Sequence, residues 1–107
     1  AEVVLHARVV GGLPMLDGGE ADDKIVAILS SDAVLDGIHE IEDVPTALMD
    51  RLLHYFNTYK LPRHGDSPVS IGAPYSRAHA EAVIEASMLD YREHFRFATA
   101  GSADTAA

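Results

Sequence analysis

The stretch Asp17-Gly18-Gly19-Glu20-Ala21-Asp22-Asp23-Lys24 puts four carboxylates and two glycines ahead of a lysine and an apolar run. Carboxylate oxygens are the hard ligands that Mg²⁺ takes, typically one or two per ion, with water and phosphate oxygens completing the shell. A lysine beside them is a point charge for a phosphoryl oxygen. The stretch therefore allows a metal–phosphate site. It equally allows a solvated acidic turn. Two like charges about 6 Å apart in water repel by only about 0.7 kcal/mol, and glycines are natural in turns. A calcium loop is excluded, because alternate ligand positions are empty and no glutamate closes the loop at the required distance.

Other familiar chemistries find no support. The six histidines, at 6, 39, 54, 64, 79 and 94, include no pair four apart, so the helical zinc pair is missing. There is no cysteine, hence no disulfide framework and no thiolate nucleophile. Nucleophile-elbow, P-loop and dinucleotide glycine motifs are absent from the sequence. Tyr59-Lys60 closes an apolar stripe at helical spacing. On residue type alone, Tyr59 continues that stripe and Lys60 complements a helix C-terminus.

Several elements must position these residues. Val3–Val10 is β-branched and partly alternating, which predicts a strand, with Gly11-Gly12 as a bulge or turn after it. Lys24–Leu29 predicts a second strand, apolar enough to be covered on both faces. The acidic stretch lies in the long connection between them. Asp43 is placed to cap a helix that Pro45 opens. Met49, Leu52, Leu53, Phe56 and Tyr59 form its stripe, and Pro62 ends it. Val69–Ile71 reads as a short edge strand. Ser76 caps a last helix whose buried stripe is Ala80, Val83, Ile84, Met88, Tyr91 and Phe95. Residues 98–107 are small and polar, a flexible tail beyond a single domain of residues 1–97. The class is α+β. So few strands leave sheet edges at Val3–Val10 and Ile25–Leu29 that a second copy could pair, which predicts a homo-oligomer.

The chain has 107 residues and a net charge of −9. That charge argues against binding nucleic acid or anionic membrane surfaces. Ile25–Leu29 is too short to span a bilayer, and the first residues have no basic region of a signal peptide. A cytoplasmic protein is expected.

The ordered set Ala7-Arg8-Val9-Val10-Gly11, Met15-Leu16-Asp17 and Asp22-Asp23-Lys24-Ile25-Val26-Ala27-Ile28 resembles the family I soluble inorganic pyrophosphatases. Ile38-His39-Glu40-Ile41-Glu42-Asp43-Val44-Pro45 is similar to the segment leading into that family's first long helix. His54-Tyr55-Phe56-Asn57-Thr58-Tyr59-Lys60 is similar to that helix's end. The resemblance covers about Val3 to Phe95 and corresponds to the family's C-terminal half. It implies part of an OB-like β-barrel packed with two amphipathic helices, and Mg²⁺-dependent hydrolysis of pyrophosphate to phosphate. By the same resemblance Asp17 and Asp22 are metal-binding carboxylates, while Lys24, Tyr59 and Lys60 contact phosphate.

Gly18 stands where the family usually has glutamate. The family's Asp-rich D-x-D-P-x-D segment and its upstream active-site residues have no counterpart here, so no catalytic set is complete. The expected function is that of a truncated pyrophosphatase-like chain with part of a Mg/phosphate site, inactive alone. The alternative is hydrolysis when self-association or a partner fragment completes the site. A third reading makes the chain an interaction module with relic ligands.

Overall fold

The computed structural model describes residues 2–58 and 69–106, with side chains for 2–58 and 69–96. Six strands and two helices are described: β1 (Ala7–Leu13), β2 (Met15–Asp17), β3 (Glu20–Ala21), β4 (Lys24–Leu29), α1 (Thr46–Thr58), β5 (Val69–Ile71), β6 (Tyr75–Ser76) and α2 (Arg77–Ala106). They form two antiparallel sheets, ordered β4-β1-β6 and β3-β2-β5. Pro14, which has no N–H to give a ladder, is the corner where the chain leaves the first sheet for the second. Its carbonyl accepts the Gly72 N–H at 2.9 Å.

β1 begins later than the alternation predicts. Val3, Val4 and Leu5 are exposed and precede the strand. Gly11-Gly12 does not end β1 but continues it. The bulge falls one residue earlier, where the register passes from Val9↔Ala27 to Gly11↔Val26 and leaves Val10 as the extra residue. That residue is fully buried, in a core of Val10, Ile28, Ile38 and Val44 ringed by Val26, Leu35, Ile41, Leu48 and Met49.

β4 is not covered on both faces. Val26 and Ile28 face this core, whereas Ile25, Ala27 and Leu29 are exposed. β4 is an edge strand, and β6 covers the other side of β1 only at Gly11 and Gly12, so among the described residues the predicted edge before Gly11 also has no strand beside it. Asp43 does not cap α1. Its carboxylate accepts the Glu40 N–H at 3.2 Å and closes the 3₁₀ turn Ile41–Asp43. Pro45 stands just outside α1, and its carbonyl accepts the N–H groups of Leu48 and Met49, both at 3.0 Å.

Ser76 does cap α2, its Oγ accepting the His79 N–H at 3.2 Å. Of the α2 stripe predicted to be buried, Ala80 is buried and Val83 and Ile84 are partly covered. Met88, Tyr91 and Phe95 are exposed, because α2 packs on β1 and β6 through its first turns and runs on past them. The helix continues to Ala106, through residues that composition assigns to a tail.

Candidate phosphate-binding hairpin

The acidic stretch is a β-hairpin. Leu16 pairs with Ala21 and Asp17 with Glu20, leaving Gly18-Gly19 as the two-residue turn. Both glycines have positive φ, 63° and 83°. That is the backbone of the tight hairpin turn whose twist matches its strands, and side chains other than glycine enter it at a cost. The connection is therefore structured, contrary to a bare long loop. It continues with the Asp22 N–H donating to the Met15 carbonyl at 2.8 Å.

Asp22 and Lys24 follow the hairpin, one before β4 and one as its first residue. Lys24 Nζ donates to Asp22 Oδ1 at 3.0 Å, with both side chains partly exposed. The same ammonium lies 5.7 Å from the centroid of the Phe56 ring on α1, within the range of a cation–π contact. One turn of α1 thus reaches the lysine that the resemblance assigns to phosphate. Asp17 ends β2, half-buried on the same hairpin. Tyr59 and Lys60 lie outside the described residues.

Asp23 is not solvated charge. Its Oδ1 accepts the Met15 N–H at 3.2 Å, and its Oδ2 accepts the Tyr75 hydroxyl at 2.9 Å. The carboxylate buckles the hairpin to β6 across 52 residues of sequence. The Tyr75 pKa is pushed up to about 12, first by burial, then by its hydrogen bond to Asp23 and that carboxylate's charge. The Tyr75 ring lies over Gly12, where any β-carbon would collide with it, and stacks on His79 with centroids 4.2 Å apart. The β1 glycine is thus a packing requirement of the tyrosine that steadies the site.

Arg8 is a second residue whose role the sequence does not disclose. Its guanidinium donates to the carbonyls of Ile38 (2.7 and 2.9 Å) and Asp36 (3.0 Å), clamping the loop before α1 onto β1. No local pattern announces either contact, since each joins residues at least 28 apart.

The arrangement offers carboxylates, one ammonium and an aromatic wall on a braced hairpin. No three His, Asp or Glu side chains among the described residues gather into a group that could hold a metal. Asp17 and Asp22 supply at most two carboxylate ligands, a number that suits Mg²⁺ only when phosphate oxygens and water complete its shell.

Comparison with known proteins gives a consistent result. The family model described as inorganic pyrophosphatase matches residues 1–92. An inorganic pyrophosphatase from Chlamydia caviae is 41% identical over 98 residues, 87% of this chain and 45% of the relative. One from Haloferax volcanii is 35% identical over 92 residues, 86% of this chain and 51% of the relative. Among solved structures, the inorganic pyrophosphatase from Thermus thermophilus superposes with a TM-score of 0.75 at 33% identity, covering 84% of this chain and 52% of that one. The Helicobacter pylori enzyme gives 0.72 at 27% identity, covering 80% and 51%. The chain spans about half the length of the relatives it matches. Two unclosed antiparallel sheets with two helices, similar to these structures, make a partial OB-like α+β fold.

Proposed function

This chain belongs to the inorganic pyrophosphatase family, and from that premise we propose that it carries one half of a Mg–pyrophosphate site and binds pyrophosphate or phosphate without hydrolysing it alone. The observation that carries this reading is the Asp22–Lys24 pair at 3.0 Å on the braced hairpin. The pair is partly exposed, so water screens it and weakens the attraction that holds it shut. A Mg-loaded phosphate can replace it without loss. Lys24 turns its ammonium to a phosphoryl oxygen, and Asp22 is released to a cation. When bound, Mg²⁺ would neutralise phosphate charge. Asp17 is the second carboxylate in this proposal, and Tyr59 and Lys60 take the other phosphate.

Hydrolysis asks for more. In-line attack requires water, cations and both phosphates fixed together, and in this proposal Asp17, Asp22, Lys24, Tyr59 and Lys60 supply only part of that arrangement. The second reading is an active Mg-dependent pyrophosphatase completed by self-association or by a complementary chain. The unclosed sheets and the matched half of each relative favour it. In both readings the chain works in the cytoplasm on a small anionic ligand, and we propose that it self-associates through its open sheet edges. Its charge of −9 opposes nucleic acid and anionic lipid as partners. No helix among the described residues is long and apolar enough to cross a membrane.

The test is calorimetric titration with pyrophosphate and Mg²⁺, beside a phosphate-release assay, on wild type and Lys24→Ala. Expected is binding without phosphate release, weakened at least about tenfold by the substitution, the loss of one charge-assisted contact. Phosphate release that disappears in Lys24→Ala establishes the active reading instead. No binding in either protein leaves the interaction-module reading.

A further inference from the structure

One face of α2 is largely exposed, although Ile84, Met88 and Arg92 on it also border a cavity with Asp22, Asp23 and Ile25. Glu81, Ile84, Glu85, Met88, Leu89 and Arg92 line a shallow groove of about 330 Å³ along it. Their spacing of three and four puts them on one side of a helix. Met88 is 50% and Leu89 53% exposed. The charges are ordered. Glu81 and Glu85 precede the apolar centre, and Arg92 and Arg96 follow it.

We propose that this face docks on the same face of a second copy of this chain, with the two α2 helices antiparallel. The proposal rests on the self-association put forward above and adds a second surface to it. A two-fold axis between Met88 and Leu89 sets Met88 of one copy against Leu89 of the other. It also sets Glu85 against Arg92 and Glu81 against Arg96, each twice. A parallel arrangement would put like charges side by side, so the pattern selects both the partner and its direction.

Met88 and Leu89, each about half exposed, give the contact an apolar centre that the charge pairs flank. The Arg77–Glu81 contact at 3.9 Å within the helix is long and exposed, and it leaves Glu81 able to turn across such an interface.

The experiment is sedimentation equilibrium on the full chain, with helicity checked by circular dichroism. Wild type is expected to dimerise. Glu85→Arg and Arg92→Glu should each weaken dimerisation about tenfold or more, because each sets like charges opposite one another twice. Mixing the two variants should restore association as a heterodimer, since both cross-interface pairs then join opposite charges again. One pair meets the two reversed positions, and the other meets the two unaltered ones. That recovery cannot come from a folding defect. A dimer indifferent to both reversals overturns this surface while leaving self-association through the β4 edge. A wild-type monomer at micromolar concentration overturns both. A monomer that pairs through α2 only with the complementary half of a pyrophosphatase domain overturns the second copy as occupant.

Discussion

Asp23 fixes the acidic hairpin by joining it to a tyrosine 52 residues away. The expected signature is alkaline. Protonated Tyr75 is favoured in the folded state, where its pKa is about 12 against an ordinary value of 10.0. The stabilisation it gives is therefore whole below pH 10 and is lost as pH rises through about 12. Tyrosinate absorbance should show a transition near pH 12 that Tyr75→Phe lacks. At neutral pH that substitution should cost about 1–2 kcal/mol in urea unfolding, because a charged acceptor loses its donor. Asp17, Asp22 and Lys24 stand out in the sequence as candidate ligands, since residue type and order carry the resemblance to the family. Asp23, Arg8 and Gly12 could not be read in the same way. Their partners are the Tyr75 hydroxyl, the Ile38 and Asp36 carbonyls and the Tyr75 ring, and nothing local encodes those meetings.

At the scale of elements, the hairpin depends on Gly18 and Gly19. Their φ values of 63° and 83° lie where a β-carbon costs about 1–2 kcal/mol per residue. Open space surrounds the β-carbon position at Gly19, so the cost there is backbone strain and not collision. Gly18→Ala/Gly19→Ala is expected to lower unfolding free energy by about 2–4 kcal/mol in urea titration, and to weaken pyrophosphate binding by loosening Asp17 relative to Asp22. An unchanged midpoint would mean that the turn is not strained. The strand Lys24–Leu29 and both helices were legible because period is local, as is the Ser76 cap of α2, whereas the predicted Asp43 cap of α1 failed because that carboxylate closes the preceding turn. What covered them was not. Ile25, Ala27 and Leu29 carry the apolar character of a strand buried on both faces, yet one face is open. Met88, Tyr91 and Phe95 keep the spacing of a core stripe while exposed by half or more. An apolar stripe records that a surface needs cover, and says nothing of which chain supplies it.

The whole molecule carries that need in its dimensions. Its radius of gyration is 17.6 Å, against about 13 Å for a compact domain of this length. α2 accounts for much of the difference, since 30 residues of helix extend about 45 Å. Met88, Leu89, Tyr91 and Phe95 on α2 are exposed by half or more, so under the proposed self-association stability should depend on protein concentration. For a dimer that unfolds to monomers, the midpoint temperature rises with concentration by mass action. With about 0.7 kcal/mol of unfolding enthalpy per residue, the rise is about 3 °C for each tenfold increase in protein. Differential scanning calorimetry from micromolar to near-millimolar protein should show this slope in wild type. Met88→Asp places a charge at the centre of the proposed contact, so its midpoint should be lower and independent of concentration. A concentration-independent midpoint in wild type would mean that the chain is stable with its apolar surface open, and α2 would then have no need of a second copy.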